Sequence, residues 1–414
     1  MAQKKTLGIL VGGGPAPGIN SVISSATIEA LNSGMKVIGI YDGYKWFIQK
    51  DISHITHLTI ADVSRIHLTG GSILRTSREN PVKKPNGVAN AISSFKRLGI
   101  THVVAIGGED TCTSSAHIAK AARGSIKIVH VPKTIDNDLP LPHDSSTFGF
   151  QTARHVGAFT IQNLMEDAQT TSRWYVVVTM GRAAGFLAFG IGFAAGATLS
   201  IIPEEFPQKP ISLDQITDII EGTIIKRKYM GRNNGVIILS EGLAEHLLAE
   251  SIKGYGTTEY DEFGHVRLAE IDLGKVVKDA VKKRFEARKQ KITIVDKRIG
   301  YELRSCAPIP FDVDYTRKLG YGAVRYLLEG PGKALIHYEG GRLAPIKFEK
   351  IYDAKTQKVR SRQVDVRSEY YKVATSYMIK LTKEDLENKS TLNGLAKAAG
   401  ISPKDIREKF KHLL

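Results

Sequence analysis

The chain has 414 residues, 42% hydrophobic and 24% charged, with a formal charge of +16 at pH 7. This is the balance of a globular protein too long for one ordinary core, so two lobes are expected and a disordered or fibrous chain is excluded. Cys112 and Cys306, the only cysteines, exclude a disulfide framework and a cysteine-rich zinc site.

No window approaches the roughly 18 unbroken apolar residues of a membrane span, and "MAQKKTLGIL" lacks a secretory apolar region and cleavage site; a cytoplasmic protein is expected. The positive charge leaves three readings: nucleic-acid binding, attraction of anionic small molecules, or a basic solvated surface.

In chain order, "TLGILV" reads as a strand, "GINSVISSATIEALNS" as a helix with Ile19, Val22, Ile23, Ala26 and Ala30 on one face, and "KVIGIY" as the next strand. "DISHITHLTI" has an extended period, which reads as structure rather than as a ligand pair formed by His54 and His57. "THVVAI", a helix from "CTSSAHIAKAA" and "IKIVHV" continue the alternation of parallel βαβ units. After a boundary near residues 146–155, "WYVVVTM", the small-residue helix "AAGFLAFGIGFAAGA", "TLSIIP", the helix "LDQITDIIEGTIIKRK" and "GVIILS" form a second set. The basic run over 275–291 places Val277, Ala280, Val281 and Phe285 at helical spacing, so it is expected to be the wetted face of an amphipathic helix. The expected fold is α/β, with two doubly wound Rossmann-like lobes and a helical C-terminal tail. The boundaries are 1–149 plus about 305–345, about 150–304, and an extension over about 346–414 that packs on the second lobe.

Ligands of such sheets sit beyond the carboxyl ends of the strands, which directs attention to the loops. "GGGPAPGIN" has Pro17 where a dinucleotide fingerprint needs its third glycine, and no Gly-Lys-Ser/Thr follows as in a Walker loop. Gly13 and Gly14 still let backbone N–H groups approach an anion; the alternative is a tight strand-to-helix turn. "IGGEDT" sets Glu109 and Asp110 either as oxygen ligands for Mg²⁺ or as acids favoured by a helix N-terminus. "PKTIDND" brings Lys133, Thr134, Asp136 and Asp138 onto one loop. A lysine there stabilises a transferring phosphoryl group and an aspartate accepts a hydroxyl proton, although Pro, Asn and Asp also form ordinary turns. "MGRAAG" offers Arg182 to a sugar phosphate, and "YELR" pairs Tyr301 with the fork of Arg304; an unremarkable helix start and a surface ion pair are their plainer readings.

The order "GGGPAPGIN", "GGSILRTSR", "GGEDT", "PKTIDND", "MGRAAG", "SEG" and "YELR" resembles the phosphofructokinase family over about residues 7–339. The pair Asp110 and Lys133 is similar to its diphosphate-dependent branch; ATP-using relatives carry glycine at both positions. The resemblance implies a glycolytic phosphotransferase. It would move a phosphoryl group reversibly from diphosphate to the 1-hydroxyl of fructose 6-phosphate, giving fructose 1,6-bisphosphate and phosphate. It further implies Asp136 as the base, with Lys133 and Asp110 at the donor. Thr134, Ile135, Met180, Gly181, Arg182, Glu241, Tyr301, Glu302, Leu303 and Arg304 would lie at the sugar phosphate. Arg173 would reach the sugar phosphate of a neighbouring subunit in a homodimer or homotetramer. Gly13 and Arg78 would meet the diphosphate, and Glu109 would ligate Mg²⁺ where many relatives carry aspartate. No second cross-subunit arginine is placed near Val295.

Two rivals remain at this point. One is an ATP-dependent kinase of the same fold. The other is a nucleic-acid-binding protein acting through "STLNGLAKAAGISPKDIREKFKHLL", which has a helix-turn-helix look, with Ser402 as N-cap, Pro403 at N1 and Gly400 in the turn. Asp405 and Glu408 in the would-be recognition helix disfavour the second.

Overall fold

The computed structural model describes residues 5–142, 145–255, 271–356 and 358–413. The elements begin with β1 (Thr6–Val11), α1 (Ile19–Asn32), β2 (Lys36–Ile40), β3 (Ile55–His57), α2 (Ile60–Val63), α3 (Gly87–Arg97), β4 (His102–Gly107), α4 (Glu109–Ala121), β5 (Lys127–Pro132) and α5 (Phe150–Thr171). They continue with β6 (Trp174–Thr179), α6 (Phe186–Ala195), β7 (Leu199–Ile201), α7 (Leu213–Tyr229), β8 (Gly235–Ser240), α8 (Gly242–Glu245), α9 (Leu273–Ala287) and β9 (Ile294–Ile299). Next come α10 (Tyr301–Ser305), α11 (Pro310–Glu329), β10 (Lys333–Leu335), β11 (Tyr338–Glu339), β12 (Arg342–Leu343), β13 (Ile346–Lys347), α12 (Phe348–Ile351), β14 (Tyr352–Asp353) and β15 (Lys358–Val359). The last four are α13 (Glu369–Ser376), α14 (Lys383–Glu387), α15 (Lys389–Ala399) and α16 (Pro403–Phe410).

These elements form two compact units, Met1–Ala153 with Tyr301–Arg362 and Arg154–Gly300 with Gln363–Leu414. The stretch 346–414, expected as one extension, is therefore shared between them: residues up to Arg362 belong to the first unit. The division follows from pairing, because β13 closes the edge of the first sheet on β10 while α15 and α16 bury their apolar faces in the second unit.

The first unit carries a seven-stranded sheet in the order β13-β10-β5-β4-β1-β2-β3, with antiparallel edges at β3 and β13 and parallel strands between. Side chains alternate along β1: Leu7, Ile9 and Val11 enter the core beneath α1 and α11, while Leu10 enters the opposite core beneath α3 and α4. The apolar face of α1 predicted from its spacing is wholly buried at Ile19, Val22, Ile23, Ala26 and Ala30. Helix α11 lies against it closely: a Cβ on Gly320 would stand 2.0 Å from Ser25 Oγ and 2.7 Å from the Val22 carbonyl oxygen. The register Val11↔Ile106 and Gly107↔Pro132 brings the loops after β1, β4 and β5 to one level at the carboxyl edge of the sheet.

The second unit holds a parallel sheet in the order β7-β8-β6-β9. Thr179 pairs with both Ser240 and Ile299, so Met180, Glu241 and Gly300 follow at one edge. The basic helix α9 keeps Lys275 and Lys283 exposed on the expected wetted face but turns two of the run's arginines inward. Val277, Ala280, Val281 and Phe285 are buried as the spacing predicts, yet Arg284 pairs with Asp214, Asp218 and Glu221, and Arg288 pairs with Glu221. In the tail, Ser402 forms a capping box with Asp405 before Pro403, and Gly400 turns at φ 70°. Ile406 and Phe410 are fully buried, and Lys409 reaches Glu221. His57 lies in β3, and His54 stacks on Trp46 at 3.8 Å and pairs with Asp51.

Candidate active site

The first unit gathers a cavity of about 230 Å³ lined by Gly13, Gly14, Arg78, Glu109, Asp110, Lys133, Thr134 and Asp138, among others. Its floor is a chain of backbone bonds. Gly12 N donates to the Ile106 carbonyl and Gly13 N to the Ser77 carbonyl, each at 2.8 Å, and Thr76 Oγ1 donates to the Gly13 carbonyl at 2.6 Å. Gly13 turns at φ 84°, a left-handed conformation that side chains disfavour. A Cβ at Gly14 would also stand 3.0 Å from the guanidinium of Arg304. The glycines after β1 thus let two cations close over the loop: Lys133 Nζ donates to the Gly14 carbonyl at 2.5 Å, and Arg304 lies beside it.

Lys133 is 4% exposed. Burial pulls its ammonium down to a pKa of about 8, opposed by Asp136 and Asp138 and assisted by Arg304 and Arg78. At the first turn of α4, Asp110 is fixed from outside the helix: Asn80 Nδ2 donates to its Oδ1 at 3.0 Å and Lys83 Nζ stands 3.3 Å away. Asn80 is held in turn by Val82 N at 2.9 Å and Ser114 Oγ at 3.0 Å.

The loop after β5 is shaped by its own polar groups. Asp136 N donates to Thr134 Oγ1 at 3.0 Å, and Thr147 Oγ1 donates to the Thr134 carbonyl at 2.6 Å. Asn137 adopts φ 57°, so the chain bends sharply between Asp136 and Asp138. Ile135 is 5% exposed and Leu303 is fully buried; their side chains belong to the core, which leaves only main-chain atoms at these two expected positions for a ligand. Tyr301 is 63% exposed, Arg304 lies 4.7 Å over its ring, and Glu302 stands between them at the start of α10.

Among the described residues no group of three or more His, Cys, Asp or Glu forms a ready metal cage. The donor chemistry nevertheless suits a hard cation that keeps water and phosphate ligands. The Glu109 carboxyl is pushed above its ordinary range by burial and by its neighbours Asp110 and Asp138. Asp138, raised chiefly by burial, leaves Oδ1 buried without a hydrogen-bond partner. Two carboxylates that resist ionisation beside each other are a natural seat for a divalent ion.

In the second unit a cavity of about 430 Å³ is lined by Arg182, Glu241, Asp296, Lys297 and Arg298, among others. Glu241 pairs with Arg298 and stands 4.0 Å from Arg182 Nε. Gly181 turns at φ 124°, and its carbonyl accepts from Gly242 N at 3.0 Å and Ser240 Oγ at 3.1 Å, which locks the "MGR" and "SEG" loops together. Met180 packs against Gly300, where a Cβ would stand 2.4 Å from the Met180 side chain. Arg173 is outside this group and pairs with Asp167 at 3.8 Å. Sequence reasoning missed Asn80, Arg298 and any role for Asp138. Asn80 had a signal, since Asn-Pro at the start of a short helix is a capping pattern; Arg298, next to the equally exposed Lys297 on β9, had none.

The phosphofructokinase family profile matches residues 6–327. The chain is 52% identical to the pyrophosphate–fructose 6-phosphate 1-phosphotransferase of Thermotoga maritima, covering 100% of this chain and 99% of the relative. It is 48% identical to the protein of the same name from Naegleria fowleri, covering 99% and 96%. Its backbone is similar to the crystal structure of a pyrophosphate-dependent phosphofructokinase from Nitrosospira multiformis, with a TM-score of 0.66 over 97% of this chain and 93% of that one, at 16% identity. With the profile spanning most of the chain and relatives of this identity along its whole length, the chain belongs to the phosphofructokinase family.

Proposed function

We propose that the chain is a diphosphate-dependent 6-phosphofructokinase, transferring a phosphoryl group reversibly from diphosphate to the 1-hydroxyl of fructose 6-phosphate. The observation that carries this reading is the buried ammonium of Lys133 over the Gly13–Gly14 turn, in a cavity walled also by Asp110, which Asn80 and Lys83 hold. A nucleotide would need that wall vacated; diphosphate needs only the cations. The names of the relatives at 52% and 48% identity agree with it.

The first unit is assigned to the donor and the metal, the second to the sugar phosphate. Arg78 and Lys133 draw the diphosphate oxygens into place and neutralise their charge, which is where most of the acceleration in phosphoryl transfer arises. The Gly13 N–H expected to share this task is already committed to the Ser77 carbonyl, and Arg304, expected at the sugar phosphate, stands beside Gly14 and joins the donor side. Arg182, with Glu241 orienting it, is assigned to the sugar phosphate. Asp136 accepts the proton of the 1-hydroxyl as that oxygen forms its bond to the terminal phosphorus; the bond from phosphorus to the bridging oxygen breaks, and orthophosphate leaves. Glu109 and Asp138 would hold Mg²⁺, which when bound supplies charge neutralisation to the diphosphate. Arg173 is assigned to a sugar phosphate held by a second copy in a homodimer or homotetramer. Its partnership with Asp167 would then be exchanged on assembly.

A coupled assay with fructose 6-phosphate, Mg²⁺ and either donor tests the reading. Turnover with diphosphate and little with ATP is expected; a wild-type preference for ATP overturns it.

A further inference from the structure

The loop that carries Asp136 is held from the far end of the first unit by one side chain. Arg362, in the last segment of that unit, donates from Nε to the Asn137 carbonyl at 2.7 Å, from Nη1 to the Leu141 carbonyl at 3.2 Å, and from Nη2 to Asn137 Oδ1. Its own main-chain N donates to the Asp138 carbonyl at 2.8 Å. The contacts thus seize the residues that immediately follow Asp136.

Asn137 is the pivot. It sits at φ 57°, a left-handed conformation that a non-glycine residue keeps only when its surroundings impose it. Its side-chain oxygen accepts from Thr147 N at 3.0 Å on one side and from Arg362 on the other. Thr147 fixes the loop where it leaves Thr134, and Arg362 fixes it beyond Asp136. Asp138, which lines the donor cavity, shares the same restraint through its carbonyl.

We propose that Arg362 is the positioning residue for this loop, setting the placement of Asp136 against the hydroxyl it deprotonates without itself touching substrate. A planar fork with several donors satisfies two carbonyls and an amide oxygen at once, a pattern that a lysine point charge does not reproduce. Loss of the fork leaves buried acceptors unpaired and frees the left-handed pivot to relax. Misplacement of a reacting group by about 1 Å costs on the order of 100-fold in rate.

The inference rests on the reaction proposed above, and the experiment separates the two. Arg362→Ala and Arg362→Lys are compared with wild type by steady-state kinetics with diphosphate, by hydrogen exchange of residues 134–141, and by circular dichroism. Arg362→Ala is expected to lower kcat about 100-fold with KM for both substrates within about threefold, and to exchange faster over 134–141 while the rest of the chain stays protected. Arg362→Lys, which keeps the cation and much of the stem, is expected to lose kcat by at least tenfold, and guanidinium ion to restore part of the Arg362→Ala rate. Wild-type kcat in Arg362→Ala, unchanged exchange over 134–141, or full recovery in Arg362→Lys overturns the clamp. Absence of diphosphate-dependent turnover in the wild type overturns the reaction and the catalytic role, while exchange still judges the restraint on the loop.

Discussion

Lys133→Met removes the ammonium while keeping an unbranched stem of similar length in the same buried slot. In the free enzyme Nζ is already committed to the Gly14 carbonyl at 2.5 Å, so the residue is worth to catalysis only what it gains over that bond. A preorganised charge at a transferring group supplies about 2.7–4 kcal/mol. A hydrogen bond from a charged donor is worth about 1.5–3 kcal/mol in the ground state, and part of that is surrendered when the ammonium turns to the donor. The difference is on the order of 2 kcal/mol, or about a 30-fold loss in diphosphate-dependent kcat. Stability should change little. Burial holds the Lys133 pKa near 8, so methionine removes a desolvated charge, a gain that offsets the cost of leaving the Gly14 carbonyl without its donor. The thermal midpoint should therefore stay within about 2–4 °C of wild type. The assay is kcat and KM for diphosphate at fixed Mg²⁺ and saturating fructose 6-phosphate, beside a thermal melt. A kcat within threefold of wild type in a normally folded variant refutes the assignment of Lys133 to the donor and leaves the fold assignment intact.

Asp136→Asn keeps shape but cannot accept the proton, so kcat should fall by roughly 10²–10⁴ with a smaller change in KM; turnover within a few-fold of wild type would make Asp136 a turn residue. Asp110→Gly removes the carboxylate pinned by Asn80 and Lys83 and should let ATP-dependent turnover appear, read as kcat/KM for both donors; a variant as inert to ATP as wild type places the block elsewhere. Glu221→Gln should destabilise the protein by about 3 kcal/mol at pH 7, because it strands the partly buried cations Arg288 and Lys409. Burial alone would raise the Glu221 pKa, but hydrogen bonds from Arg288 and Lys409 outweigh it and hold it below the ordinary range. Its contribution is thus present above the unfolded carboxylate pKa and lost as pH falls through the lower folded value. The gap between denaturant melts of wild type and variant should narrow only as pH falls through that lowered folded value; a gap that does not change with pH contradicts the ion-pair account.

The loops were legible in the sequence because each carries its own signal. Glycine pairs after apolar runs, an acid at a helix start and a lysine closing a strand are local patterns, and the register Val11↔Ile106 and Gly107↔Pro132 then sets them side by side. What escaped the sequence is what holds those loops from a distance. Helix α5 begins where Asp312 accepts from Gly149 N at 3.0 Å and Thr152 N at 2.8 Å. That cap comes from 160 positions away, so the start of a 22-residue helix read only as a boundary. Arg362 and Asn137 lie 225 positions apart, and nothing near either residue announces the pair. The fork of an arginine finds its acceptors only after the chain has folded.

The basic composition divides on the same principle. From the sequence, the run over 275–291 was indistinguishable from a solvated surface, since periodicity fixes which residues are apolar but not what faces the cations. The structure spends Arg284 and Arg288 internally: their side chains are 18% and 11% exposed, and with Lys409 they surround Glu221, whose side chain is fully buried. An ion pair of this kind contributes little net energy against an apolar substitute, yet each member is costly to remove alone. The apolar face of the tail hairpin is committed to the core of the second unit, and Lys409 to Glu221 of α7. Lys133 and Arg304 follow a different logic. Both are drawn to the Gly13–Gly14 turn, and two carboxyls lining the same cavity, on Glu109 and Asp138, are pushed up rather than down, chiefly by burial. Charge that neutralises itself builds a core; charge left in excess on both sides of one cavity is set for an anion and its metal.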